Sequence, residues 1–192
     1  MAHTLRLFAP DNVYHVTQRG NNRMPVFRMP QDRHVYLQYM SESLGRRTCR
    51  LYAYCLMTNH VHLLVSASDP EDVSRLMEEV QGRYARYFNL NWHRTGSLWQ
   101  RRFRATPVVA DAHMIGCFLY LDMNPIRGRL VERPEQYYWS SYRSLAFGEP
   151  SAVLSHHPCY LDLGSTDKER GQQYHERMRV FLEEWRTMSG YD

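Results

Sequence analysis

The chain has 192 residues, 43% of them hydrophobic, which suits one globular domain, or one domain with an appendage, around a buried core. No apolar run approaches the ~20 residues needed to cross a bilayer, and the N-terminal MAHTLRLFAPD lacks the apolar stretch of a signal peptide, so we expect a cytoplasmic protein with no membrane partner. The formal charge is +4 with a pI near 8.9, carried almost wholly by arginine, a planar fork of donors suited to phosphate oxygens; the scattered Cys49, Cys55, Cys117 and Cys159 argue against a zinc knuckle or disulfide frame.

In chain order, NVYHVTQ at 12–18 alternates in the period of a half-buried strand. RGNNR follows as a polar loop containing glycine. Residues 30–47 fit an amphipathic helix with Val35, Leu37, Tyr39, Met40 and Leu44 among its apolar positions. Residues 50–56 read as a second strand, MTN as a tight turn, and HVHLLV at 60–65 as the hairpin partner. SASDPED offers a helix start, with Asp69 as cap and Pro70 at the first helical position, for a helix over about 71–89. A short strand over about 105–109 precedes a helix over about 112–123. The order β-α-β-β-α-β-α predicts an α+β fold of the ferredoxin-like plan, an antiparallel sheet with helices on one face. After Val131 the chain turns rich in turns and prolines, then resumes a helical pattern over about 167–186. We therefore divide it into a domain at 1–131 and a C-terminal appendage at 132–192 packed on the core.

The positive charge is unevenly spread. Arg101, Arg102 and Arg104 follow Trp99, and Arg83, Arg86 and Arg94 interleave with Tyr84, Tyr87 and Trp92. Such a mixture suits a nucleic-acid groove, where arginines hold phosphates and rings stack on unpaired bases. It equally describes a helix with aromatics inward and arginines outward.

On a strand, side chains alternate faces, so His60 and His62 point the same way and Val61 and Leu63 the other. Two such imidazoles can converge on one metal ion, or simply line the solvent face of a hairpin. Two ligands are too few for a catalytic metal site, and the chain is too short for an eight-fold βα barrel that opens with HxH. In CFLYLDMNPIRGRLV, Tyr120 and Asn124 stand four apart on one helix face. An asparagine oxygen can ligate a hard cation such as Mg²⁺ or Mn²⁺, and a tyrosine one turn away can attack a phosphate. Alternatively Tyr120 is a core residue and Asn124, before Pro125, a cap or helix stop.

Several segments together, YHVTQRGNNRMPVF at 14–27, YCLMTNHVHLLV at 54–65, LWQRRFR at 98–104, YLDMNPIRGRLV at 120–131 and WSSY at 139–142, resemble the single-tyrosine HUH transposases, and among them the REP-associated tyrosine transposases. The resemblance implies a ferredoxin-like fold. It implies that His60 and His62 bind a divalent cation, that Tyr120 is the nucleophile, and that Asn124 occupies the place of a third polar ligand. It implies single-stranded, hairpin-forming palindromic repeat DNA as substrate, cleaved through a 5′-phosphotyrosine link without ATP; no phosphate-cradling GxxxxGKS/T loop is present. It is compatible with a monomer or a homodimer. RGNNR and WQRRFR are the segments we expect to contact DNA, through Arg19, Asn21, Asn22 and Arg23 and through Trp99, Arg101, Arg102 and Arg104. A turn-forming role for RGNNR stays open. So do two other functions: a domesticated repeat-binding protein with little catalysis, and a ferredoxin-like metal-dependent nuclease, which would have no need of Tyr120.

Overall fold

The computed structural model describes residues 8–108 and 114–189, which divide into two compact units, 8–108 with 152–155 and 114–151 with 156–189. The first holds β1 (Tyr14–Arg19), α1 (Pro30–Leu44), β2 (Cys49–Met57), β3 (His60–Ala67), α2 (Asp72–Asn91) and β4 (Arg104–Pro107). The strands form one sheet in the order β2-β3-β1-β4, with every pairing antiparallel. That is the ferredoxin-like arrangement expected from the element order, with β3 inserted between β1 and β2. The residues expected to end the fourth strand and to begin the next helix, 109 and 112–113, lie outside the described residues.

The two faces of the sheet differ in chemistry. Val16, Gln18, Val61 and Leu63 share one face and are buried throughout. Helices α1 and α2 pack on each other and on the sheet. The buried stripe of α1 is Asp32, Tyr36, Met40 and Ser43; Val35, Leu37, Tyr39 and Leu44, expected inside from their apolar character, are half-buried. Asp32 can lie inside because its carboxylate accepts from the N–H groups of Arg28 (2.8 Å) and Met29 (3.0 Å), from Tyr87 Oη (3.1 Å) and from the Trp92 indole (3.2 Å). Asp69 does not cap α2 directly. Its Oδ1 accepts from the Glu71 N–H (2.8 Å) in the turn before the helix, which begins at Asp72, so Pro70 precedes the helix. Residues 152–155 lie along the outer side of β2 through a parallel bridge of Leu154 to Leu51, and Ser155 N–H donates to the Leu51 carbonyl (2.8 Å), which covers a strand edge.

The second unit is helical: α3 (Met114–Asp122), α4 (Asn124–Arg127), α5 (Tyr142–Phe147), α6 (Pro158–Leu161) and α7 (Asp167–Ser189). Helix α3, which the sequence division at residue 131 groups with the strands, falls here with the segment that follows it. At its centre Asp122 is wholly buried and accepts from Tyr174 Oη (2.8 Å) on α7 and Ser141 Oγ (3.0 Å) in the WSSY segment. Helices α5 and α7 approach closely at Gly171, where a Cβ would lie 2.6 Å from the Ala146 carbonyl oxygen. Among the described residues no helix is long and apolar enough to cross a membrane.

Burial pushes the Asp122 carboxyl up to about 7, against the hydroxyls that donate to it. A carboxyl whose pKa is higher folded than unfolded leaves stability intact below the unfolded value, near 4, and subtracts from it as pH rises through the folded value. Asp122→Asn cannot ionise. Its stability relative to the unchanged protein is expected to rise between pH 4 and 7.5, read by urea unfolding at each pH; a pH-independent difference would contradict the shift. Asp122→Ala, which strands the Tyr174 and Ser141 hydroxyls, is expected to cost about 3 kcal/mol.

Candidate nucleic-acid and metal site

The histidine face is built by strand register. On β1 and β3, Arg19 opposes His60 and Thr17 opposes His62, while β4 places Arg104 opposite Thr17 and Thr106 opposite His15. Directly opposed residues share a face, so Arg104, Thr17 and His62 form one row across the sheet, with Arg19 and His60 in the next. The His60 and His62 rings are 4.8 Å apart, centroid to centroid, and nearly perpendicular. His15 joins them from β1: its Nε2 is 2.9 Å from His62 Nδ1, and the two rings stack at 5.1 Å.

The end of the sheet at His60 is closed by loops that hold one another. Gly20 N–H donates to the Asn59 carbonyl (2.8 Å), Val26 N–H to that of Thr58 (2.9 Å), and the Asn59 side-chain amide to the Arg23 carbonyl (2.9 Å). On the other side Asn21 N–H donates to the Leu98 carbonyl (2.8 Å) and Gln100 N–H to that of Arg19 (3.0 Å). RGNNR is thus a defined turn with left-handed Asn22 (φ 50°) and Arg23 (φ 57°). A Cβ on Gly20 would lie 2.5 Å from the Met24 carbonyl oxygen, so only glycine fits. The turn-forming role is real, and it leaves Asn22 and Arg23 exposed. The two segments expected to contact DNA are therefore bonded to each other beside His60.

Ion pairing sorts the arginines. Arg83, placed in a basic and aromatic mixture by sequence, pairs with Glu42 (2.6 Å) and Glu79 and lies over the Tyr39 ring at 4.1 Å. Tyr84 is buried with its hydroxyl on the Val26 carbonyl (2.5 Å). Helix α2 is accordingly the alternative form, aromatics inward and arginines outward. Trp99 has a packing role, its indole N–H donating to the Gln81 carbonyl (3.1 Å) and its ring 6.1 Å from Tyr84. Arg102 lies over Phe103 at 5.7 Å. Among the described residues Arg19, Arg23, Arg101 and Arg104 form no ion pair, and all four are exposed.

Burial, with the charge of Arg19 adding to it, pushes His60 down to about 4, and burial lowers His15 as well. Both imidazoles are neutral near pH 7, the form that ligates a metal. Among the described residues no group of three or more His, Cys, Asp or Glu is placed to hold a metal ion. The chemistry of His60 and His62, two imidazoles on one sheet face with one ring neutral by burial, fits two positions of a divalent cation.

In the second unit Tyr120 is 39% exposed on α3, with the Arg127 guanidinium 4.7 Å from its ring centroid. Asn124 donates through Nδ2 to the carbonyls of Tyr120 (3.0 Å) and Leu121 (3.1 Å). It therefore closes the end of α3, as the helix-stop reading has it, and Oδ1 is the atom left for a cation. Sequence reasoning missed His15, Asn59 and Arg127. The alternation of YHVTQ puts His15 on a strand face, but nothing local says that β1 neighbours β3.

Arg104→Ala is expected to weaken binding of a single-stranded oligonucleotide and to lower the slope of log K against log salt by about 0.7, the share of one phosphate contact. Arg83→Ala, whose charge is already paired, should leave both unchanged. Equal losses in the two variants, measured by fluorescence anisotropy across a salt series, would refute the sorting.

The sequence model of the family "Transposase IS200 like" matches residues 10–119. No curated protein matches the chain. Among solved structures, a REP-associated tyrosine transposase bound to a REP hairpin superposes with a TM-score of 0.62 at 16% identity, over 82% of this chain and 93% of that one. A candidate transposase from Deinococcus radiodurans R1 gives a TM-score of 0.44 at 18% identity, over 64% of this chain and 96% of that one. The family match spans the whole sheet, both strands of the histidine face and α3 up to the residue before Tyr120, and by it the chain belongs to the IS200-like transposase family.

Proposed function

We propose that the protein is a single-stranded DNA transesterase that cleaves and rejoins hairpin-forming repeat DNA through a phosphotyrosine. The observation that carries this is the pairing of His60 and His62 on one sheet face, flanked by the exposed cations Arg19 and Arg104. Such a face suits a phosphodiester: imidazole nitrogens for a cation, guanidinium groups for neighbouring phosphates.

A divalent cation, Mg²⁺ or Mn²⁺, held by His60, His62 and Asn124 would supply Lewis-acid polarisation of the scissile phosphate. His60 and His62 would hold that cation on the sheet face through their imidazole nitrogens, and Arg19 and Arg104 hold the strand on either side of the phosphate. Tyr120, from the same chain or a second copy, attacks phosphorus through Oη. The Oη–P bond forms, the P–O3′ bond breaks, and the tyrosine proton ends on the 3′-hydroxyl. Because the new ester retains the energy of the old one, a 3′-hydroxyl can attack it and rejoin strands without ATP. An ordinary tyrosine has a pKa of about 10 and is a weak nucleophile at neutral pH, so attack by Tyr120 requires activation. A palindromic repeat hairpin as substrate rests on the resemblance at the motifs and on the hairpin bound to the superposed REP-associated transposase.

Incubation with a hairpin oligonucleotide and Mn²⁺ is expected to give a covalent adduct on a denaturing gel. Tyr120→Phe should abolish it while changing DNA affinity less than threefold, about 0.6 kcal/mol, and His60→Ala should remove cation-dependent cleavage. An adduct that survives Tyr120→Phe would overturn the nucleophile, and cleavage without any adduct in the unchanged protein would make it a hydrolytic nuclease.

A further inference from the structure

The hydrogen bonds behind the histidine pair determine which ring nitrogen each can offer. His60 Nδ1 is 2.6 Å from Asn59 Oδ1. An amide oxygen only accepts, so Nδ1 must carry the proton. The usual ambiguity of amide orientation is removed here, because the other end of the same amide donates to the Arg23 carbonyl at 2.9 Å, and a carbonyl also only accepts. The direction of the relay is therefore set by the backbone of the RGNNR turn: the Arg23 carbonyl orients Asn59, and Asn59 sets the tautomer of His60. With Nδ1 protonated, the lone pair of a neutral His60 ring lies on Nε2. At His62, Nδ1 is engaged by His15 Nε2 at 2.9 Å, so its ligating nitrogen is again Nε2, and ligation through Nε2 requires that His62 Nδ1–H donate to His15.

We propose that Asn59 and His15 are positioning residues that hold His60 and His62 as Nδ1–H tautomers with Nε2 presented to the cation. This rests on the cation role of the two histidines put forward above. It assigns a task to two residues outside the ligand set, one on the β2–β3 turn and one on β1, and gives RGNNR a second use besides DNA contact. Partners of this kind fix ring orientation and raise ligand basicity, and their loss commonly weakens metal binding by about 10–100-fold.

Two measurements test it. Long-range ¹H–¹⁵N correlation spectra of the metal-free protein report the protonated nitrogen of each ring, assigned with His60→Ala and His62→Ala; Nδ1–H is expected at both, and Nε2–H at His60 would overturn the proposal whatever the protein binds. Mn²⁺ affinity without DNA, read by electron paramagnetic resonance of free Mn²⁺, is expected to fall about 10–100-fold in Asn59→Ala and in His15→Ala. Asn59→Asp and His15→Gln, which keep an acceptor for Nδ1–H, are expected to stay within a few-fold of the unchanged protein, so folding defects are separated from loss of the acceptor. Unchanged affinity in both alanine variants, with binding abolished by His60→Ala, would overturn the positioning roles and leave the cation assignment standing. Affinity unaffected by His60→Ala itself would overturn the cation assignment, and this proposal with it.

Discussion

Everything at the histidine face depends on the register of β3 against β1 in the middle of the sheet. Opposing Arg19 to His60 and Thr17 to His62 sends both imidazoles to the face that carries Arg104 and His15. It sends Val61 and Leu63 to the buried face with Val16 and Gln18. A slip of one residue would exchange the two sets, setting the imidazoles against Val16 and Gln18 and turning Val61 and Leu63 toward Arg19 and Arg104. The cost of that exchange holds the register, so packing of the apolar face specifies the geometry of the polar one.

The loops at the end of the sheet extend the same logic without apolar burial. RGNNR, the Thr58–Asn59 turn and residues 98–100 exchange backbone hydrogen bonds, and Gly20 is needed because Met24 and Val26 crowd it. A loop whose backbone groups are satisfied by neighbouring loops is rigid enough to aim a side chain. Asn22, Arg23 and Arg101 are exposed on this framework, while the Asn59 amide points inward to His60. In the second unit Asp122 has the comparable task, tying the helix of Tyr120 to α7 and to the WSSY segment through hydroxyl groups.

Charge alone was a poor guide to which arginines are available for a nucleic acid. Arg83 stands as near to aromatics in sequence as Arg104 does, yet two glutamates on α1 and α2 neutralise it. The discriminating quantity is the presence of a carboxylate within reach, and that depends on how α1 packs against α2. Trp99 is similar: its composition suits base stacking, but its indole N–H is committed to the Gln81 carbonyl.

The element order, the antiparallel plan and the common direction of His60 and His62 were legible in the sequence, because each follows from periodicity and turn chemistry over a few residues. Tyr120 and Asn124 do not share one helix as their spacing suggested: α3 ends at Asp122, and the Asn124 amide closes it by donating to the Tyr120 and Leu121 carbonyls. The helix start at Asp69 and the buried stripe of α1 were misjudged, since a buried Asp32 with four donors looks polar in sequence and apolar faces are counted by residue type. The placement of His15 and Asn59 beside the histidine pair, and the exposure of Arg19 and Arg104, were decided by tertiary structure alone. Each depends on which strand lies beside which and on where a distant carbonyl points, and strand adjacency is set by the collective burial of the apolar face, which no local pattern encodes.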